Sequence, residues 1–248
     1  MHVRSDLLTP HAWLALHPLQ VGERLYLILS AASDAAPHNA YYQRAPLSRL
    51  IVIWSDTPYA DWKPVMPYLA ELKSDSAFLQ WIAQTDAEDW GWLAVSSSPP
   101  DVVREHLRSL TQVRMPNRTE VFFRFWDGRH LFPMLEQLGT AAGDVLPVFS
   151  RYLINHRHID TGIRSVTAAK AWPWWDVPPA LIDALVKNDS TAVIDNLMQW
   201  LREECTELFF ALPEANLRQK VERFVNEHPN QEQMAERLVA RLTKEVTV

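Results

Sequence analysis

The chain has 248 residues, of which 48% are hydrophobic and 22% charged, and its formal net charge is −6. This composition is that of a folded protein with one large or two small domains, and the negative charge disfavours binding to nucleic acid. The single cysteine, Cys205, excludes an internal disulfide and any metal site built from several cysteines, and it is typical of a reducing compartment.

The chain shows no sign of membrane targeting. Asp6, Pro10, His11 and Pro18 interrupt the N-terminal segment, so it lacks the apolar core of a signal peptide. No run approaches the roughly 18–20 apolar residues that a membrane helix needs. We therefore expect a cytoplasmic protein that contacts neither a membrane nor nucleic acid.

The six glycines do not form a nucleotide-binding loop. None is spaced as G-x-G-x-x-G or as a Walker loop, the arrangements in which the backbone approaches a phosphate closely. We expect no cofactor. Tryptophan, with eleven residues, is more frequent than glycine, and such amphipathic rings suit a protein that binds other proteins as well as one with an aromatic core.

Four short apolar runs predict buried strands, at residues 25–30, 50–54, 91–96 and 121–126. The runs are nearly continuous rather than alternating, as expected of strands that are covered on both faces. The segments between and after them have apolar residues at helical spacing, namely Phe78, Leu79 and Ile82, then Val103, Leu107 and Leu110, and finally Leu131, Leu135 and Leu138.

The ends of these helices are also indicated. Ser98 is the predicted N-cap of the second helix, with Pro99 at its first position, and Gly139 is the predicted end of the third. The alternation of strands and helices predicts an α/β lobe with a mixed, mostly parallel sheet and flanking helices.

The pattern changes at about Thr140. Residues 145–168 predict two extended segments around an Asp-Thr-Gly turn, at positions 160–162, as a hairpin at the edge of the sheet. The segment AWPWWDVPP then forms a stiff connector that contains Trp172, Trp174 and Trp175. These three rings either hold the two lobes together or bind a partner.

The rest of the chain is predicted to be helical. Residues 191–212 place Ile194, Leu197, Leu201, Cys205 and Leu208 on one apolar stripe. We therefore predict two domains, an α/β lobe over residues 1–175, which includes the hairpin and the connector, and a small all-helical lobe over residues 176–248.

The usual catalytic and metal-binding motifs are absent. The chain contains neither G-x-S-x-G nor H-E-x-x-H, and Cys205 on its apolar stripe is typical of a packed, inert thiol. His156, His158 and Asp160 alternate along a predicted strand, but they lack a fourth metal ligand, and solvated edge residues explain them better. We predict no catalytic, cofactor-binding or metal-binding residues.

The segment RFWDGRH, residues 124–130, has three interpretations. As a structural corner, Asp127 accepts backbone N–H groups at the start of a helix, while a neighbouring guanidinium binds its carboxylate. The apolar run places Arg124 inside a predicted strand, where a buried arginine needs such a partner. As an exposed interface, the same charges contact another protein. As the centre of a small hydrolase or phosphotransferase, Asp127 is a base or a metal ligand, His130 is a proton carrier, and Arg124 or Arg129 binds an anion.

Residues 90–135 carry a family resemblance. The segment after the third apolar run contains His-Leu-Arg on a helix, and the fourth run ends in Arg-aromatic-aromatic-Asp-x-Arg before a leucine-rich helix. These motif residues are His106, Leu107, Arg108, Arg124, Phe125, Trp126, Asp127 and Arg129. The pattern closely resembles the signature of the type VI secretion system effector adaptors, also called effector chaperones. The resemblance covers roughly residues 20–150.

This chain departs from the family pattern at a few positions. Gly128 stands where proline is usual, which is expected to loosen the turn after Asp127. Ser30 replaces an aspartate, Arg49 replaces a proline, and the segment PNRTE lacks the usual glycine. The Arg-Asp-Arg centre of the motif is retained, with His106, Arg108, Arg124, Trp126, Asp127 and Arg129 expected to fix the fold or to line an interface.

The resemblance implies a cytoplasmic carrier and not an enzyme. Such adaptors bind one toxic effector and help to load it onto the VgrG spike. The implied partners are therefore a cognate secreted effector and the spike protein. Trp172, Trp174 and Trp175 are the candidate partner-binding residues that the sequence itself suggests.

Overall fold

The computed structural model describes residues 7–45, 49–166, 168–188, 190–227 and 234–246. The chain divides into two compact units, Met1–Val177 and Pro178–Val248. The first unit combines helices with β-strands, and the second is built from helices.

The described residues of the first unit contain eight strands. They are β1 (Arg24–Ser30), β2 (Ile51–Val52), β3 (Pro67–Leu72), β4 (Gly91–Ser96), β5 (Gln112–Arg114), β6 (Glu120–Phe122), β7 (Arg151–Ile154) and β8 (Arg157–Asp160). Six of them form one sheet in the order β2-β3-β1-β4-β7-β8, and β5 pairs with β6 in a separate two-stranded ribbon.

The expectation of a mostly parallel sheet is wrong. The described neighbours β2–β3, β3–β1, β1–β4, β4–β7 and β7–β8 are all antiparallel. The apolar runs at β1 and β4 are continuous because both faces of these strands are buried, and an antiparallel sheet that is covered on both faces produces the same pattern. The broader prediction of mixed α/β structure, with helices and a helical C-terminal part, is confirmed.

In the part of this unit that the structure describes, six α-helices accompany the strands. They are α1 (Pro10–Leu16), α2 (Pro37–Arg44), α3 (Phe78–Gln84), α4 (Pro100–Ser109), α5 (Gly128–Leu138) and α6 (Ala142–Val145). One face of the sheet, which includes Leu27 and Leu93, packs against Trp13 of α1, Tyr41 of α2 and Phe78 of α3. The opposite face carries Trp92.

Trp92 connects the sheet to the segment that contains the candidate site. Its indole nitrogen donates a hydrogen bond of 2.7 Å to the carbonyl oxygen of Phe125, and its ring lies 5.4 Å from that of Phe149. Strand β4 lies close to β1 at its first residue, Gly91. A Cβ on Gly91 would fall 2.0 Å from the carbonyl oxygen of Ile28, and its φ of +139° also favours glycine.

Several predicted element limits were wrong. The run at residues 50–54 contributes only the two residues of β2, because a turn begins there in which Ser55 Oγ donates to the carbonyl oxygen of Val52. Strand β3 was missed, since it begins with a proline and carries an exposed glutamate, Glu71. The fourth run is a strand only as far as Phe122, so Arg124 lies after the strand and not inside it.

The predicted N-cap of α4 is one residue too early. Pro99 occupies the cap position and Pro100 begins the helix. The carbonyl oxygen of Ser98 accepts a hydrogen bond of 2.7 Å from Tyr26 instead. The predicted end of α5 is confirmed, because Gly139, with φ 54°, follows its last residue.

The hairpin β7–β8 lies at the sheet edge, as predicted, but its turn is not Asp-Thr-Gly. The turn residues are Asn155 and His156, which have φ values of 48° and 64°. Two consecutive positive φ angles are typical of the tight turns that suit the twist of a hairpin. The segment at residues 160–162 follows β8, where the Asp160 carboxylate accepts the backbone N–H of Gly162.

The second unit contains α7 (Pro179–Asn188), α8 (Thr191–Glu204), α9 (Thr206–Phe210), α10 (Glu214–Glu227) and α11 (Met234–Val246). Its core includes Leu201, Leu217, Val221 and Leu238. The predicted continuous stripe is interrupted at Cys205, which separates α8 from α9 while still packing against this core. None of the helices in the described ranges is long and apolar enough to cross a membrane.

Candidate functional site

The carboxylate of Asp127 is the centre of the candidate site. Asp127 is the N-cap of α5, and only 1% of its side chain is exposed. Its Oδ1 atom accepts the backbone N–H of Arg129 at 3.0 Å and Nε of the same residue at 3.1 Å. Its Oδ2 atom accepts Nη2 of Arg129 at 2.8 Å and Nη2 of Arg124 at 3.0 Å. The two oxygens thus receive four donors.

The groups around this carboxylate are half-exposed. Arg124, Arg129 and His130 each direct about half of their side-chain surface to solvent. Nε2 of His130 lies 3.6 Å from Oδ2 of Asp127, which is beyond hydrogen-bond distance. The hydrogen bond to Asp127 raises the pKa of Arg129 above its already high value, so this guanidinium stays charged. We call Arg124, Asp127 and Arg129 the Arg-Asp-Arg corner.

Gly128 does not loosen the turn after Asp127, in contrast to our expectation. It is the buried first residue of α5. A Cβ here would lie 3.0 Å from the carbonyl oxygen of Glu88, 3.0 Å from Cγ2 of Ile154 and 3.1 Å from Nδ2 of Asn155. The glycine permits close packing of the corner against the β7–β8 hairpin.

His106 and Arg108 join α4 to neighbouring elements. His106 is buried, which lowers the pKa of its imidazole, and its Nε2 lies 2.9 Å from the carbonyl oxygen of Val145. Arg108 donates from Nε to the carbonyl oxygen of Ile53 at 3.2 Å and from Nη2 to the carbonyl oxygen of Ser55. His106 therefore joins α4 to the end of α6, and Arg108 joins α4 to the turn after β2.

Trp126 belongs to a continuous aromatic array. Its ring meets Trp54 edge-to-face at 5.2 Å, and the array continues through Tyr59 and Phe122 to Trp62. Trp54 and Trp126 are buried, and among the described residues their indole N–H groups have no hydrogen-bond partner. Trp62 is 46% exposed. The sequence reasoning missed this array, although the spacing of aromatic residues in WSDTPYADW is a signal for it.

The three tryptophans of the connector are half-buried within the first unit. Trp174 donates from Nε1 to Oγ of Ser109 at 3.0 Å, and the Trp175 ring lies 5.5 Å from that of Phe123. Trp172 lines a shallow cavity of about 470 Å³ together with Arg108. Trp174 and Trp175 thus attach the connector to α4 and to the segment after β6, within the first unit.

The comparisons with known proteins give one match. Residues 25–142 match the family model of a domain of unknown function, DUF4123. No curated protein and no solved structure matches the chain. The matched segment covers a little under half of the chain and contains His106, Arg108 and the Arg-Asp-Arg corner, whereas the connector tryptophans lie outside it.

The histidines of the β7–β8 hairpin are used in packing. Nδ1 of His158 accepts a hydrogen bond of 2.9 Å from Nε1 of Trp13, and the His158 ring stacks on that of His17 at 4.1 Å. Nδ1 of His156 lies 3.2 Å from the carbonyl oxygen of Leu8. In the part of the chain that the structure describes, no three His, Cys, Asp or Glu side chains are grouped to hold a metal ion.

Proposed function

We propose that this protein is a cytoplasmic adaptor, and not an enzyme, that binds one effector of a type VI secretion system and helps to load it onto the VgrG spike. The observation that carries the proposal is the Arg-Asp-Arg corner. Its residues occupy the motif positions of the adaptor resemblance, and their carboxylate is bound entirely within the fold.

The extent of the resemblance supports the same reading. It covers roughly residues 20–150, and the domain family matches residues 25–142. Both therefore concern the first unit and include strands β1–β4 of the sheet, α4 and the corner. The second unit lies outside them, which suits a part that differs between adaptors of different cargo.

The geometry at Asp127 argues against the alternative of a hydrolase or phosphotransferase. A carboxylate offers about four acceptor positions, and all four at Asp127 receive protein N–H groups. A general base needs a free acceptor position within reach of the substrate proton. With 1% exposure, this side chain offers neither a free position nor a path to it.

An adaptor needs exposed surface that binds other proteins. Aromatic residues are enriched at the centres of such interfaces. The array that ends at Trp62 supplies a surface of this kind in the first unit. We infer that the charged corner fixes the local fold, while exposed aromatic surface contributes to binding.

The proposal is tested by affinity purification of the tagged chain from its native bacterium. We expect to recover a spike component together with one large effector, encoded by genes next to that of the adaptor. Recovery of neither protein would contradict the proposal. So would a measurable turnover that Asp127→Asn abolishes while the fold is unchanged.

A further inference from the structure

The β5–β6 ribbon has a defined hydrogen-bonding pattern. The backbone N–H of Phe123 donates to Thr111 at 3.1 Å, and that of Met115 donates to Thr119 at 2.8 Å. Residues that exchange hydrogen bonds across an antiparallel pair alternate with residues that do not. Val113 and Val121, which lie opposite each other, therefore bond within the ribbon. The N–H and C=O groups of the intervening residues point away from it.

One edge of this ribbon is already occupied. On β5, the backbone N–H of Arg114 donates to the carbonyl oxygen of Trp175 at 3.0 Å, and its carbonyl oxygen accepts from Val177 at 2.8 Å. The ribbon thus receives an extended segment along β5. The outer edge of β6, by contrast, has no strand paired to it among the residues that the structure describes. The outward backbone groups on this edge belong to Glu120 and Phe122.

The free edge borders the aromatic array. The Phe122 ring lies 4.8 Å from that of Tyr59 and 5.3 Å from that of Trp62. Side chains two positions apart on a strand share a face, so Glu120 projects from the same face as Phe122. Glu120 is exposed and forms no ion pair with another described residue. Arg114, which lies opposite it on β5, is ion-paired with Asp176 instead. The edge therefore combines unpaired backbone groups, an exposed aromatic surface and one uncompensated negative charge.

We propose that the outer edge of β6 binds an extended segment of the effector by strand addition, a partner class that rests on the proposed adaptor function. The outward N–H and C=O groups pair with an extended backbone, and a helix offers no such groups. The segment carries a basic residue opposite Glu120 and an apolar residue over Trp62, because cross-strand neighbours of opposite charge and aromatic–apolar pairs are favourable. Binding also covers an edge that is otherwise open to unwanted pairing.

The first test is hydrogen–deuterium exchange on the wild-type chain with overlapping peptides that tile the effector and the spike. In the free protein we expect fast exchange at the amides of Glu120 and Phe122 and slow exchange at Val121. An effector peptide is expected to slow exchange at the first two. If peptides of the spike alone slow it, or if no bound peptide changes it, the proposal is overturned.

Two variants then separate the contribution of the backbone N–H group to binding from that of the carboxylate charge. Glu120→Pro removes an outward N–H group together with the carboxylate, and it leaves the hydrogen bonds within the ribbon, since proline is tolerated on edge strands. We expect the affinity for the full effector to fall about tenfold or more. The matched variant Glu120→Gln retains the N–H group and is expected to lower the affinity only about two- to fivefold. Equal affinities of Glu120→Pro and wild type would overturn the proposal.

Further controls keep the test informative. Trp62→Ser removes the exposed ring and is expected to weaken binding, whereas Ile163→Ser removes a still more exposed apolar side chain elsewhere and should not. Even if Glu120→Pro unfolds, these variants and the exchange measurement still test whether the outer edge of β6 binds the effector. If the wild-type chain binds no effector at all, the adaptor function itself fails. If the chain binds effector, but neither the β6 variants nor exchange at the β6 amides change as expected, only the strand-addition site fails.

Discussion

The carboxylate of Asp127 is stable inside the protein because its cost of burial is offset locally. An unpaired buried charge is very unfavourable, but here two guanidinium groups and one backbone N–H neutralise and hydrogen-bond it. Oδ1 of Asp127, which caps α5, therefore also holds the side chain of Arg129 through Nε. Both arginines keep about half of their side-chain surface in water. Their own loss of hydration on pairing with Asp127 is therefore small.

Asp127→Asn tests this arrangement at the scale of one residue. Asparagine still caps the helix but cannot hold two guanidinium groups by charge, so we expect a loss of about 2 kcal/mol in the free energy of unfolding. For a unit of this size, that corresponds to a fall in Tm of about 4–8 °C in thermal denaturation followed by circular dichroism.

Two further substitutions serve as comparisons for Asp127→Asn. Asp127→Ala also removes the cap and should lower Tm further. Asp61→Asn, at an exposed aspartate with no side-chain hydrogen bond, should leave Tm unchanged. An unchanged Tm in Asp127→Asn would contradict the structural role of the corner.

Among the elements, the sequence predicted the long, strongly patterned ones best. Strands β1 and β4 and helices α4 and α5 lie where their apolar patterns placed them. The pairing direction was not predictable in the same way, because a strand that is buried on both faces has the same composition in a parallel and an antiparallel sheet. Direction depends on which strands become neighbours, and that is decided by contacts between distant parts of the chain.

The candidate site was predictable only in its local part. Asp127 and Arg129 are two residues apart, so helix-capping chemistry alone indicated their contact. The partners of Arg108 lie more than fifty residues away, at Ile53 and Ser55, and no local rule indicates them. The aromatic array likewise joins the turn after β2 to β6, which are distant in the sequence.

Helix α1 is attached to the β7–β8 hairpin through an imidazole. Nδ1 of His158 accepts the indole N–H of Trp13, and the carbonyl oxygen of Tyr152 lies 3.3 Å from the same nitrogen. Burial, and after it the neighbouring His17, lower the pKa of His158, although Asp160 opposes this. A proton on Nδ1 would displace the indole donor and place a positive charge beside His17.

This attachment predicts a dependence of stability on pH. Unfolded histidines take up a proton near pH 6.5, whereas His158 in the fold does so at lower pH. Below pH 6.5 the unfolded state therefore binds more protons, and the free energy of unfolding falls as the pH falls. We expect a lower Tm at about pH 5.5 than at about pH 7.5, and His158→Gln should reduce this difference.

The choice of control matters for this pH dependence. Burial also lowers the pKa of His106, so His158→Gln should reduce the fall in Tm without abolishing it. His11→Gln, at an exposed position of α1, should leave the profile as in the wild type. If His158→Gln retains the full fall in Tm between the two pH values, the attachment of α1 does not depend on this imidazole.

At the scale of the whole molecule, each unit has its own hydrophobic core. The core around Leu27, Trp90 and Leu93 is formed by side chains of the first unit, and the core around Leu201 and Leu238 by side chains of the second. The Arg-Asp-Arg corner, the aromatic array and the β5–β6 ribbon all belong to the first unit. We therefore expect the first unit alone to contain both the motif that fixes the fold and the proposed binding edge.

A fragment of residues 1–177 tests this assignment. Its core and its corner are complete, so we expect cooperative thermal unfolding and the same fall in Tm on Asp127→Asn as in the full chain, to within about 2 °C. Because β6 is present, the fragment should also bind the effector segment, and Glu120→Pro should weaken that binding. A fragment that unfolds without a cooperative transition would show that residues 178–248 are needed for the first core. One that folds but no longer binds would place the effector site in the helical unit instead.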